Sequence, residues 1–358
     1  MDLMPSSDQE AIQASVRSFL EHELPMERVR RLSDAGADAF AALWRGAGEL
    51  GFFGLGIASD RGGAGYGLTE EMVLFEELGR ALAPGPWLGS VLAAHALVSA
   101  GEGAAADLRA RILAGEVRVA LVDGLDRPWA SALRGGKLTG ARSFVCDALA
   151  GDGFLVVDGG GVALVAPGAD GVRVARRASM DPTRSVAHVD FEAAPCVALA
   201  ADPAQLRREA TVLACAEAVG GVHRTVELSV EYAKVRTQFD RPIGSFQAVK
   251  HRCADMAVRA EVARSATTYA TVSVRDRAPD ADFQASVAKV LCGNAYLQNA
   301  ADNVQNHGGM GFTWECDAHL YVKRARSFDV TLGTRMERLD RLVVGLRVGA
   351  APGSAPSA

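Results

Sequence analysis

Two stretches in the second half of the chain gather residue types that could hold a ligand. RTQFDRPIGSFQ, residues 236–247, sets an arginine, two aromatics and two amides (Arg236, Phe239, Phe246, Gln238 and Gln247) about a turn. Pro242 cannot continue a helix and pushes the residue before it toward extended backbone, so a break here is expected. The break does not account for the side chains gathered at it. QNHGGMGF, residues 305–312, follows a helical segment with Gly308, Gly309 and Gly311. Absent side chains there permit backbone shapes and close approaches denied to other residues. Gly62, Gly63, Gly65 and Gly67 give an earlier loop the same freedom. Each stretch also has a plainer reading. An arginine at a helix end caps carbonyls or meets solvent, glycines after a helix form a C-cap, and a glycine run before a helix is a turn.

Other chemistries find little support. The six cysteines are far apart, with no Cys-x-x-Cys and no histidine cluster at metal spacing, which reads as reduced, mostly buried thiols in a cytoplasmic protein without zinc. No Gly-x-Gly-x-x-Gly opens a helix, and no βαβ period appears, so a doubly wound dinucleotide-binding fold is not expected. With 49% apolar residues and a net charge of −5 the chain suits a globular protein and lacks the basic face of a nucleic-acid binder. The opening MDLMPSSDQEAIQ is acidic and capped like a helix start, unlike a signal peptide. The longest apolar stretch, near residues 211–222, is too short for a membrane span and contains Glu217.

The elements that must position these residues form three blocks, and 358 residues suggest two or three domains. Residues 7–113 have helical periodicity. Asp8 is placed to cap a first helix with Ile12, Val16 and Phe19 on one face, and Thr69 or the residue before it to cap a later one. Residues 118–199 break into short β-type runs such as VRVALV, GFLVVD and VAHVDF, spaced as in an antiparallel sheet. Helical segments at 206–236, 246–276 and 280–306, with a shorter one after Thr334, make a four-helix bundle. The expected fold is α+β, mostly α: an N-terminal helical domain (1–117), a small central antiparallel β domain (118–199), a C-terminal bundle (200–349) and a disordered tail (350–358). Val249, Met256, Val262, Val287, Val290 and Leu291 give the bundle more apolar surface than one core requires, which predicts an oligomer.

Three stretches, ELGFFGLGIASDRGGAGYGL, RTQFDRPIGSFQAVKHRCADM and QNHGGMGFTWECDAHLYVKRARSFDVTLGT, occur in that order along the chain. Together they resemble the acyl-CoA dehydrogenase family of flavoproteins, over nearly the whole chain. The resemblance implies an acyl-CoA substrate, an electron-transfer acceptor and an FAD lying across a subunit boundary. In that arrangement the β domain of one chain holds the flavin ring and the bundle of a neighbour holds the ADP end. It implies that Arg236 meets the pyrophosphate, as a guanidinium fork suits phosphate oxygens. Gln238, Phe239, Ile243, Phe246 and Gln247 would line the rest of that half. Gln305, Gly308, Gly309 and Gly311 would form the second clamp, and Thr334 would reach the flavin region.

The resemblance also exposes departures. The family's reaction removes a proton beside a thioester carbonyl while hydride passes from the next carbon to the flavin, and the base is a carboxylate whose pKa is raised by desolvation. The usual Tyr-Glu-Gly-Thr stretch reads Thr331, Leu332, Gly333, Thr334 here, so the base position holds Leu332. The alternative position on the first bundle helix falls at Ala210. Glu209 is its neighbour and stands as a candidate base, although one residue turns a helical side chain by about a hundred degrees. A substrate-holding arginine would fall at Thr211, with Arg207 and Arg208 close by. The strand that cradles the flavin ring is reduced to VALVDGLDRPWAS. Clamps without a base or a cradle resemble the base-less subunits of heteromeric actinobacterial acyl-CoA dehydrogenases of steroid side-chain breakdown. Those chains pair with a homologous catalytic subunit. Two other readings stay open: a self-sufficient dehydrogenase, as a homo-oligomer, using Glu209 or another carboxylate such as Glu315, and a non-enzymatic acyl-CoA-binding or regulatory homologue.

Overall fold

The computed structural model describes residues 4–32, 37–98, 103–123, 132–159 and 161–348. The tail expected at 350–358 and most of the segment read as a degraded cradle lie outside the described residues. The N-terminal block comprises α1 (Ser7–Glu23), α2 (Met26–Leu32), α3 (Ala41–Glu49), α4 (Leu68–Arg80), α5 (Trp87–Val98) and α6 (Ala104–Leu113). The cap of α1 is Ser6 rather than Asp8. Ser6 and Gln9 exchange side-chain-to-backbone hydrogen bonds in a capping box, and Asp8 falls in the first turn, where it complements the helix dipole. Gly67 precedes α4, and the Glu70 carboxylate returns to accept from its N–H at 2.9 Å.

The β block contains β1 (Val119–Asp123), β2 (Ala132–Arg134), β3 (Lys137–Cys146), β4 (Gly153–Asp158), β5 (Gly161–Val165), β6 (Val172–Arg177), β7 (Val186–Pro195) and β8 (Val197–Leu199). They form two sheets, ordered β1-β4-β5-β8 and β2-β3-β7-β6. Pairing is antiparallel as expected except between β1 and β4, which run parallel. The GFLVVD run reads as continuously apolar because both faces of β4 are covered. Phe154 and Val156 pack between the sheets, and Leu155 and Val157 join the core shared with the helices.

The remainder is α7 (Pro203–Val235), a hairpin of β9 (Thr237–Gln238) and β10 (Arg241–Pro242), then α8 (Gln247–Arg275), α9 (Ala281–His307), α10 (Ala318–Val330) and α11 (Arg335–Val348). The helix α10 adds to the four anticipated. Of the residues thought to leave apolar surface exposed, Met256 is buried in its own bundle, whereas Val262 is 49% exposed.

One core cluster runs from Val16 of α1 to Leu332, so the N-terminal helices and the bundle bury one another. Glycines set the crossing of α4 and α7. A β-carbon on Gly79 would meet the Glu217 carbonyl oxygen at 1.8 Å, and one on Gly220 would meet that of Glu76 at 1.7 Å. A charged cluster adds a second join. Arg324 of α10 is 2% exposed and donates to Asp181 at 2.7 Å, to Glu217 of α7 at 2.6 Å, to Thr183 Oγ1 at 2.7 Å and to the Leu82 carbonyl at 3.2 Å. Arg184 reaches the same Glu217 at 2.9 Å and Asp147 at 3.1 Å.

Candidate functional site

The first clamp is built where α7 ends. Arg236 leaves the helix in extended conformation, its N–H bonded to the Tyr232 carbonyl at 2.9 Å. In the hairpin Gln238 pairs with Arg241 and Thr237 with Pro242, leaving Phe239 and Asp240 as a two-residue turn with φ of 53° and 62°. Two successive positive φ values are those of a type I′ turn, usually formed by Asn-Gly, so a phenylalanine there is strained. The turn projects Phe239, which is 86% exposed. The Ile243 N–H closes the loop onto the Arg236 carbonyl at 2.8 Å. The Arg241 guanidinium lies 4.2 Å from the Phe246 ring centre, and Phe239 meets that ring edge-on. Gln238 and Gln247 are exposed. Arg236 is exposed too, and its guanidinium forms no hydrogen bond or ion pair among the described residues, so it does not cap carbonyls.

The second clamp ends α9. Gly308 takes φ of 60°, a conformation suited to glycine, and a β-carbon on Gly309 would meet nothing within 4 Å. Gln305 is exposed beside them. Gly311 differs: it is buried, and its β-carbon would lie 2.7 Å from the Val304 carbonyl oxygen, so the chain's own packing requires that glycine. The clamps share one end of the bundle. The Tyr232 and His307 rings stack at 4.3 Å, Ser229 donates to Asn303 at 2.9 Å, and Arg252 donates to Asn306 at 2.9 Å.

The two positions at which the resemblance would place a base line a separate pocket. Ala210 and Leu332 both line it, with Leu92, Leu121, Asp123, Val157, Leu206 and Arg207. It encloses about 10 Å³, near the lower bound for one water molecule. Burial and the neighbouring charge of Arg341 push Arg207 down to about 10. Glu209 does not line this pocket. Its carboxylate meets His95 Nδ1 at 3.0 Å and accepts from Gln205 at 2.9 Å, while His95 Nε2 meets the fully buried Glu71 at 2.8 Å. Burial opposes charge on both groups. The Glu71 charge and the Glu209 bond nevertheless hold the imidazole well above its ordinary range, and the His95 bond holds Glu209 below its own. The geometry therefore pairs Glu209 with a cation instead of poising it as a base.

Thr334 is committed locally. Its hydroxyl donates to Glu337 at 2.9 Å and accepts from the Glu337 N–H at 3.3 Å, which caps α11. Thr211 is buried, donating to the Arg207 carbonyl at 2.8 Å. Glu315 is exposed. The Gly62 loop borders another cleft, of about 470 Å³, formed with α3 and α6 and lined by Arg61, Arg109 and Leu113. The Glu71–His95–Glu209 chain and the Arg324 cluster are absent from the sequence reading. Their members lie too far apart in the chain for any spacing to suggest them.

Helices, a two-sheet β block and a helical bundle that carries exposed glycine and arginine loops at one end define the architecture of a flavin-dependent acyl-thioester dehydrogenase. Residues 6–115 match the acyl-CoA dehydrogenase N-terminal domain and residues 204–342 the acyl-CoA dehydrogenase C-terminal domain, and the chain belongs to that family. It is similar to the acyl-CoA dehydrogenase IpdE2 of Mycobacterium tuberculosis, 35% identical over 95% of this chain and 98% of that protein. Among solved structures it resembles a chain of the ChsE4-ChsE5 complex from Mycobacterium tuberculosis, with a TM-score of 0.86 at 28% identity over 99% of this chain and 100% of that one. A chain of the Tcur3481-Tcur3483 steroid ACAD gives a TM-score of 0.87 at 26% identity, covering 96% and 98%.

The family's cofactor is FAD, and the two ends of that cofactor fare differently here. Around Arg236, Gln305, Gly308 and Gly309 the surface is open, and the Arg236 guanidinium is exposed. At Ala210 and Leu332 the pocket holds only about 10 Å³.

Proposed function

We propose that this chain is an acyl-CoA dehydrogenase subunit that supplies ADP-side contacts to an FAD whose ring is held, with the catalytic base, by a homologous partner chain. The observation that carries this reading is the pocket that Ala210 and Leu332 line together: at both positions where the resemblance would put a base stands a side chain that cannot accept a proton. FAD supplies the hydride-accepting ring when bound. This chain's part is positional. Arg236 offers paired donors to the diphosphate, Gly308 and Gly309 let backbone amides approach it, and the Phe239 turn with Gln238, Ile243, Phe246, Gln247 and Gln305 shapes the surrounding wall. The substrate is an acyl-CoA, and the electrons leave the complex to an electron-transfer acceptor. The names of the similar complexes favour a heteromer and a steroid-derived acyl group. Absorbance between 400 and 500 nm tests the reading, measured on this chain alone and on this chain co-purified with its genomic neighbour. Colour and acyl-CoA turnover only in the complex are expected, and a yellow, active lone chain would overturn it.

A further inference from the structure

The outer face of the second sheet carries a serine, a histidine and a carboxylate in one hydrogen-bonded line. Ser143 Oγ lies 2.7 Å from His188 Nδ1, and His188 Nε2 lies 3.2 Å from Asp190 Oδ1. A carboxylate only accepts, so Asp190 holds the ring proton on Nε2 and leaves the Nδ1 lone pair to receive the serine proton. Alternation along β7 puts His188 and Asp190 outside, because Ala187, Val189 and Phe191 fill the core between the sheets. The same rule would turn Ser143 inward with Val145, which belongs to that core. A bulge reverses it. Between the pairs Arg142–Val189 and Val145–Ala187, Ser143 and Phe144 of β3 stand against His188 alone. The strain shows at Phe144, whose φ of 61° is unusual for a bulky residue and whose side chain is 74% exposed. Ser143 is exposed beside it, and neither bulge residue has a register partner on β7.

We propose that Ser143, His188 and Asp190 form a hydrolytic site for small acyl esters and thioesters. Ser143 Oγ adds to the acyl carbon while its proton passes to His188 Nδ1. The bond to the leaving oxygen or sulfur then breaks, and that atom takes the proton from Nδ1. Water resolves the acyl-serine by the same route: it adds to the acyl carbon, its proton goes to Nδ1, the bond to Oγ breaks, Oγ recovers the proton and a carboxylic acid leaves. Backbone N–H groups of the bulge are the donors to the oxyanion of each addition. Asp190 is a positioning residue, and the exposed Phe144 ring offers an apolar wall to the acyl group. The site shares no residue with either clamp, and no step needs a flavin.

The test incubates the full chain with a fluorophosphonate probe and maps the adduct by peptide mass spectrometry. Labelling at Ser143 is expected, together with turnover of p-nitrophenyl acetate, read as nitrophenolate, or of acetyl-CoA, read as free CoA. Nitrophenolate alone would assign oxygen esters, and CoA alone thioesters. Ser143→Ala should abolish both the adduct and the turnover. His188→Gln should slow both by about a hundredfold to ten-thousandfold, the share of a general base. Asp190→Asn should slow labelling at an unchanged melting temperature, which the loss of a purely structural carboxylate would not do, and Asp190→Glu should recover part of the rate. No adduct at Ser143, labelling that His188→Gln leaves unchanged, turnover that survives Ser143→Ala, or an adduct without turnover of either substrate would overturn the site. None of these readouts involves flavin, so the result stands apart from the functional reading above.

Discussion

Tyr232 and His307 stack face to face, ring centres 4.3 Å apart and planes 23° from parallel, four residues before Arg236 on one helix and one residue before Gly308 on another. This contact sets the spacing of the two clamps. An offset aromatic pair contributes roughly 0.5–1.5 kcal/mol beyond the area it buries. Tyr232→Ala should therefore lower the melting temperature modestly and loosen flavin retention by the complex, although Tyr232 itself touches no cofactor in this reading. Unchanged flavin retention in Tyr232→Ala would show that the clamps do not depend on each other.

Arg236→Ala should weaken FAD retention by the complex by about ten- to hundredfold while leaving the chain folded, as expected for a charge-assisted contact of roughly 1.5–3 kcal/mol. Arg236→Lys should recover part of the loss. Gly309→Val should do similar damage by another route, filling a space that no other described residue beyond its chain neighbours enters. The measurement is flavin stoichiometry after desalting, with melting temperature on the same sample. Full occupancy in Arg236→Ala would remove this residue from the cofactor site.

Arg324→Ala leaves the buried Asp181 without its cation and Glu217 with Arg184 alone. Breaking a buried ion pair from one side costs about 3–5 kcal/mol. Denaturant unfolding should show that loss. Arg324→Met, which keeps most of the side-chain volume, should be nearly as damaging, because the orphaned Asp181 carboxylate and not the cavity carries the cost.

The His95 chain predicts how stability varies with pH. His95 titrates above its unfolded value of 6.5, so its contribution is complete below about 6.5 and fades as pH rises through the folded value. Glu209 titrates below its unfolded value of 4.5, so its contribution is complete above about 4.5 and fades as pH falls. Both are present between about 4.5 and 6.5. Melting temperature should therefore decline above that window, and His95→Gln should flatten the decline. An identical pH profile in His95→Gln would mean that the chain of contacts carries no net stability.

Leu332→Glu puts an acid where the resemblance would place the base, yet the lone chain should gain no acyl-CoA dehydrogenase activity, because the pocket there holds only about 10 Å³. Turnover by Leu332→Glu alone would show that the chain retains a complete site of its own.

The sequence revealed the features whose causes are local. Pro242 and the flanking aromatics announced the turn after α7, and the glycine run after His307 announced the end of α9, because a break in helical period is visible without any partner. Gly311 and Thr334 show the limit of that reading: a neighbouring carbonyl explains the glycine, and a helix cap explains the hydroxyl. The cap of α1 shifted from Asp8 to Ser6, since either residue can accept the first free amides and only the backbone decides between them. Pairings such as His95 with Glu209 or Arg324 with Asp181 span more than a hundred residues. Their partners are fixed by helix crossings that no periodicity encodes.

The crossing of α4 and α7 at Gly79 and Gly220 also governs how the molecule comes apart. Because backbone meets backbone there and one apolar core serves both helical blocks, neither block retains a closed interior when the other melts. Calorimetry should record these helices melting in a single cooperative transition. A truncation at the end of the β block should yield a fragment that is degraded in the cell rather than a separable bundle, so each such chain would reach its assembly whole or not at all.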